Sequence, residues 1–97
     1  MTGAASPQPR TWLWLHREDN VAMALSDFAA GNAVQIDGSE IVLKDAVEYG
    51  HKFAVRDIRE GQPVTKYAET IGVARRDISA GEHVHVHNVK SLRARKP

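Results

Sequence analysis

Three times along this chain an aspartate, an apolar residue, a glycine and a valine recur at one spacing. The copies are Asp27-Phe28-Ala-Ala-Gly31-Asn-Ala-Val34, Asp57-Ile58-Arg-Glu-Gly61-Gln-Pro-Val64 and Asp77-Ile78-Ser-Ala-Gly81-Glu-His-Val84. In such a pattern the aspartate caps one helical turn with its carboxylate and the apolar residue drops into the core. The glycine supplies a left-handed exit, and the valine opens the next strand. Each copy therefore reads as a connector between short strands. The uneven spacing from Asp27 to Asp57 to Asp77 argues against a regular solenoid.

The segments between the connectors read as strands. Arg10 to His16 carries Trp12, Leu13, Trp14 and Leu15 and has high β-propensity; Arg17-Glu-Asp-Asn20 follows as a turn, and Val21 to Leu25 resumes the apolar run. Val34 and Ile36, then Ile41 and Leu43, flank Asp37-Gly38, the signature of a two-strand hairpin. Pro63 to Ala68 and Glu69 to Ala74 read as two more strands, with Gly72 as a bulge. No long helical periodicity is present. The expected fold is all-β, about seven short strands with at most single helical turns. The expected organisation is a flexible head at 1–10, one domain at 11–89 and a basic tail at 90–97 containing Lys90, Arg93, Arg95 and Lys96.

A chain of 97 residues holds one core and little room for an enclosed pocket, so a site shared with a second polypeptide is expected. Thirteen basic against twelve acidic side chains is too balanced for a broad phosphate-binding surface, which argues against nucleic acid as a partner. The absence of cysteine excludes disulfides, zinc-thiolate sites and thiol nucleophiles and is compatible with a cytoplasmic location. Neither a secretion signal nor an apolar run long enough to span a bilayer is found, so no membrane partner is expected. Serine-elbow and nucleotide-binding motifs are also missing.

The densest concentration of chemistry is His83-Val-His85-Val-His87-Asn88. On a strand the imidazoles would share one face and Val84 and Val86 the other. Histidines two apart stand ~7 Å apart at Cα, within range of one metal ion. Two readings are open: half-exposed strand histidines, or a His-x-His pair that leaves coordination positions for substrate. His51-Lys52 follows Tyr49-Gly50, where a sharp turn would present both side chains. Lys66-Tyr67 sets a cation beside a phenol that can hold a carboxylate or donate a proton. Asp19-Asn20 suits a local Asx-type turn, and Trp12 and Trp14 suit core or interface.

Taken together and in order, His16-x-x-Asp19-Asn20-Val-Ala-x-Ala-Leu25, Gly50-His51-Lys52-x-Ala-Val-Arg-Asp57, Val64-x-Lys66-Tyr67-x-Glu69-x-Ile-Gly72 and Gly81-Glu-His83-Val-His85-Val-His87-Asn88 resemble the N-terminal region of altronate and galactarate dehydratases. Sulfolactate sulfo-lyases carry a similar stretch as a small subunit. The resemblance implies an SAF domain with a β-clip fold of short, bent strands. It also implies a role as the small subunit or detached domain of a sugar-acid dehydratase, a hydro-lyase needing a large dehydratase subunit. The substrate would be a sugar acid, converted to a 2-keto-3-deoxy acid, and the cofactor a divalent metal: iron, manganese or magnesium. On this resemblance His51, His85 and Tyr67 would be catalytic. Lys52, Lys66, His87, Asn88 and His16 would bind substrate, and His85 and His87 the metal. The family usually shows Lys-Tyr-Gly-Glu, where this chain has Ala68 in place of the glycine. Alternatives are a sulfo-lyase small subunit, a non-catalytic carbohydrate-binding module and a free-standing metal-binding scaffold. A homo-oligomer paired through an edge strand near Trp12 is a further expectation.

Overall fold

The computed structural model describes residues 11–91, so the expected head at 1–10 and residues 92–97 of the expected tail at 90–97 lie outside the described residues, while Lys90 and Ser91 belong to the last strand. Nine short strands are present among them: β1 (Trp12–Leu13), β2 (Val21–Ala24), β3 (Ala33–Ile36), β4 (Ser39–Val42), β5 (Lys52–Ala54), β6 (Pro63–Lys66), β7 (Glu69–Ala74), β8 (His83–Val84) and β9 (Val89–Ser91). They form three antiparallel sheets in the orders β1-β2-β5-β8, β3-β4 and β6-β7-β9. No helix occurs among the described residues, so the fold is all-β.

Strands β2 and β5 lie at the centre and face two cores. Side chains alternate along a strand, so Ala22, Ala24 and Phe53 enter one core with Val34, Ile36, Ile41, Leu43 and Val47. Val21 and Ala54, one step along, enter the other with Ile58, Val64, Ala74, Ile78 and Val84. Hairpin β3-β4 covers the first core and hairpin β6-β7 the second. Trp12 and Trp14 pack against the first core, and the Trp14 indole donates to the Asp19 carbonyl at 2.9 Å. The strand expected across Arg10 to His16 shrinks to Trp12–Leu13, because only these two residues pair with β2.

The connectors come as two couples. Phe28 bridges Val47 and Ile58 bridges Ile78, with reciprocal backbone hydrogen bonds of 2.7 to 3.0 Å. Val47 therefore belongs to a fourth connector, residues 46–50, in which Ala46 stands where the others have aspartate. Each aspartate also acts differently from the local cap read from the sequence: it reaches across the couple. Asp27 accepts from the Tyr49 amide at 2.8 Å, Asp57 from the Ala80 amide at 2.9 Å and Asp77 from the Glu60 amide at 2.9 Å. The missing fourth bond predicts that Ala46→Asp stabilises the fold by roughly 0.5–1.5 kcal/mol, by giving the Ala30 amide a carboxylate partner. Urea unfolding of the variant checks this; an unchanged or lowered midpoint would refute the symmetry argument.

Two glycines are fixed by space as well as by backbone angle. Gly81 has φ +92°, and a Cβ there would run into the Val42 carbonyl oxygen. Gly72 has an ordinary φ, but its Cβ would meet the Lys90 carbonyl oxygen at 2.5 Å, so β9 can approach β7 only over glycine. The register shift between Val64 and Thr65 leaves Ile71 as the extra residue beside Gly72, which places the bulge where the sequence suggested.

Candidate active site

Strand β8 ends at Val84, and the chain turns over residues 85–88 instead of continuing as a strand. Asn88 makes this turn. It is 0 % exposed, its Oδ1 accepts from the His85 amide at 3.0 Å, and its Nδ2 donates to the His83 carbonyl at 2.8 Å. Its amide is thus committed to the backbone, away from any substrate hydroxyl. The expected alternation fails for the same reason: Val84 is buried, but Val86 is 71 % exposed.

The turn gathers the histidines into a column. His51 Nδ1 lies 2.8 Å from His83 Nε2. The His51 ring stacks on His85 with centroids 4.6 Å apart and planes 8° apart. His83 lies 5.0 Å from His51, 5.5 Å from His85 and 5.4 Å from His87, centroid to centroid. Glu48 Oε1 approaches His51 Nε2 at 3.8 Å. The left-handed Gly50, φ +87°, delivers His51 to the column and Lys52 to the cleft beside it.

That cleft, about 380 Å³, is lined by Lys52, Lys66, Ile71, Val84, His85, Val86, Val89 and Ser91. Two ammonium groups and an imidazole thus face an apolar floor. Burial first, and then the charge of Lys66, push the Lys52 amine below its usual range. A bound carboxylate would relieve the charge repulsion between the two amines. The Lys66 ammonium sits 4.6 Å above the Tyr67 ring, a cation–π contact at the tip of hairpin β6-β7.

The structure therefore brings together Lys52, Lys66 and His85 and backs His85 with His51, while Tyr67, under Lys66, and His87, against His83, do not line the cleft. His16 does not line the cleft; it is exposed, on a turn closed by the Asp19 amide on its carbonyl at 3.0 Å. The roles of two residues named in the sequence do not follow from it. His83, absent from the expected site residues, is the hydrogen-bond partner of His51. Asp19, read as part of a local turn, is 1 % exposed and accepts from the Ala68 amide at 2.8 Å. Beside it, Asn20 donates to the Pro63 carbonyl at 2.9 Å and accepts from the Thr65 amide at 2.8 Å. The pair clamps the hairpin that carries Lys66 and Tyr67. Its partners lie more than forty positions away, beyond the reach of a local motif.

Among the described residues no three histidine, aspartate or glutamate side chains are grouped to hold an ion. The near-parallel stacking of His51 on His85 keeps their lone pairs, which lie in the ring planes, from converging. The expected pair, His85 and His87, would need further ligands from substrate, water or another polypeptide.

Burial first, and then His51, His87 and His85, hold His83 below the usual histidine range, with Asp45 pulling the other way. Between its folded pKa and 6.5 the unfolded chain binds more protons at this residue. The contribution of His83 to stability is thus complete above pH 6.5 and is lost as pH falls through the folded pKa. Urea unfolding on acidification from neutral pH should show this fall, with a flatter profile in His83→Gln.

Residues 10–92 match the family described as altronate/galactarate dehydratase SAF domain. The altronate dehydratase of Escherichia coli is 46% identical over 80 residues, covering 82% of this chain and 16% of that protein. That of Bacillus subtilis is 42% identical over 82 residues, covering 84% and 16%. The (2R)-sulfolactate sulfo-lyase subunit alpha of Chromohalobacter salexigens is 53% identical over 51 residues, covering 53% of this chain and 54% of that subunit. The chain thus spans about one sixth of the dehydratases it matches. No helix among the described residues is long and apolar enough to cross a membrane. An all-β chain with this match over most of its length belongs to the altronate/galactarate dehydratase SAF domain family.

Proposed function

We propose that this chain is the SAF component of a lyase that removes the proton beside a carboxylate and expels the group on the next carbon, working with a larger polypeptide. The observation that carries this reading is the cleft, which Lys52, Lys66 and His85 line together: two amines suited to an anionic group and an imidazole suited to proton transfer. The proton to be removed is weakly acidic, and cationic groups aimed at the carboxylate stabilise the enediolate as its charge develops. An imidazole suits proton transfer near neutral pH. The cleft is open and shallow for catalysis, which supports a second polypeptide closing it. Val86, 71 % exposed, lines it and would be covered by such a partner.

On the stronger overlap with altronate dehydratases the substrate is an aldonic or aldaric acid and the leaving group water, giving a 2-keto-3-deoxy acid. A second reading, loss of sulfite from a sulfolactate, is favoured by the 53% identity over 51 residues to a sulfo-lyase subunit. The test is to co-purify the chain with its large partner and assay the pair on aldonic acids, aldaric acids and 3-sulfolactate, reading 2-keto acid and sulfite. Keto-acid formation that requires this chain supports the proposal. A catalytically complete large chain, indifferent to this one, would overturn it.

A further inference from the structure

The connector at residues 46–50 is the odd one of the four. After the glycine of the other three, Asn32, Gln62 and Glu82 turn a side-chain oxygen back onto an amide of their own connector. They accept from Ala29 at 2.9 Å, Arg59 at 2.8 Å and Ser79 at 2.6 Å. His51 occupies the equivalent position but directs its ring to His83. A place that elsewhere closes the turn is here occupied by half of an imidazole pair. His83 is held from both sides: its amide donates to Asp45 Oδ2 at 3.0 Å, and its carbonyl accepts from Asn88 Nδ2 at 2.8 Å.

We propose that His83 is a positioning residue for His51: its Nε2–H donates to His51 Nδ1, fixing the tautomer that carries the His51 proton on Nε2. A contact of 2.8 Å between ring nitrogens needs one N–H and one lone pair. Glu48 Oε1, 3.8 Å from His51 Nε2, favours a proton on that nitrogen. Nδ1 of His51 is then the acceptor, which leaves His83 as the donor. Held this way, the His51 ring forms a flat backing for His85 at the cleft wall. The catalytic meaning of the pair rests on the lyase reading; the hydrogen bond and the tautomer do not.

Long-range proton–nitrogen spectra of the ¹⁵N-labelled full chain test this without substrate. The expected result is one His51 tautomer, protonated at Nε2, with the Nδ1 signal displaced by an accepted hydrogen bond. His83→Gln keeps an N–H donor and should retain that signature. His83→Leu should lose it and leave the ring exchanging between tautomers. Should His83→Leu fail to fold, His51→Leu gives the reciprocal reading: the His83 Nε2–H should lose its protection from exchange. A proton on His51 Nδ1 in the unaltered chain, or an unchanged His51 signature in His83→Leu, would overturn the assignment. Because no turnover is measured, failure here leaves the lyase reading standing, and an inactive pair leaves the tautomer result intact.

Discussion

On the proposed lyase function, His85→Gln is expected to lower kcat/KM of the chain assembled with its partner by about 10²–10⁴, the usual scale of a lost acid–base group, with little change in unfolding midpoint. The expectation separates chemistry from folding because the His85 side chain is exposed and its hydrogen bonds within the turn are made by its backbone. Its amide donates to Asn88 and its carbonyl accepts from the Asn88 and Val89 amides, and glutamine retains all three bonds. Glutamine also keeps the polarity and reach of the side chain but cannot exchange a proton near neutral pH. His87→Gln should act more weakly, since that ring meets only the edge of the column at His83. His16→Gln should have no effect on turnover. Steady-state kinetics on the three variants, with urea unfolding of each, check the ranking. Near-normal turnover in His85→Gln would remove this residue from the chemistry.

The fold was legible in the sequence wherever its determinants are local. Asp37 and Gly38 sit at φ +54° and +80°, the turn that the dipeptide implies, and hairpin β3-β4 closes over it. The three Asp-apolar-x-x-Gly-x-x-Val connectors are where the motif placed them. The fourth is hidden because two of its marker residues differ: Ala46 replaces the aspartate and Phe53 the valine. At the site, the gathering of His51, Lys52, Lys66 and His85 follows the resemblance, but its geometry does not follow from alternation along a strand. Asn88 converts the expected strand into a turn through bonds to His83 and His85, and so brings His83 and His85 onto His51. His83 and Asp19 were not legible for a common reason. What each does depends on a partner 32 or 49 residues away, and only the folded sheet order makes them neighbours.

The clamp by Asp19 leads to a thermodynamic expectation with a built-in suppressor. The tip of hairpin β6-β7 places Tyr67 and Ala68 at φ +56° and +62°, where an L residue other than glycine costs roughly 1–2 kcal/mol. The first hairpin has a glycine at the corresponding second position and needs no outside help. Here the buried Asp19 carboxylate holds the Ala68 amide, so Asp19→Ala strips a charge-assisted bond from an already strained turn and should cost about 1–3 kcal/mol. Asp19→Asn keeps an acceptor oxygen and should cost less. Ala68→Gly should stabilise the unaltered chain by about 1 kcal/mol and, in the Asp19→Ala background, recover more than that, because a relaxed turn no longer depends on the clamp. Four urea-unfolding curves complete the cycle; strictly additive costs would show that Asp19 does not act on the turn. The same cycle reaches function through Lys66, which occupies the residue before Tyr67 and lines the cleft. Loosening the tip should therefore weaken capture of an anionic substrate beyond what the loss of global stability accounts for, and Ala68→Gly should return part of it.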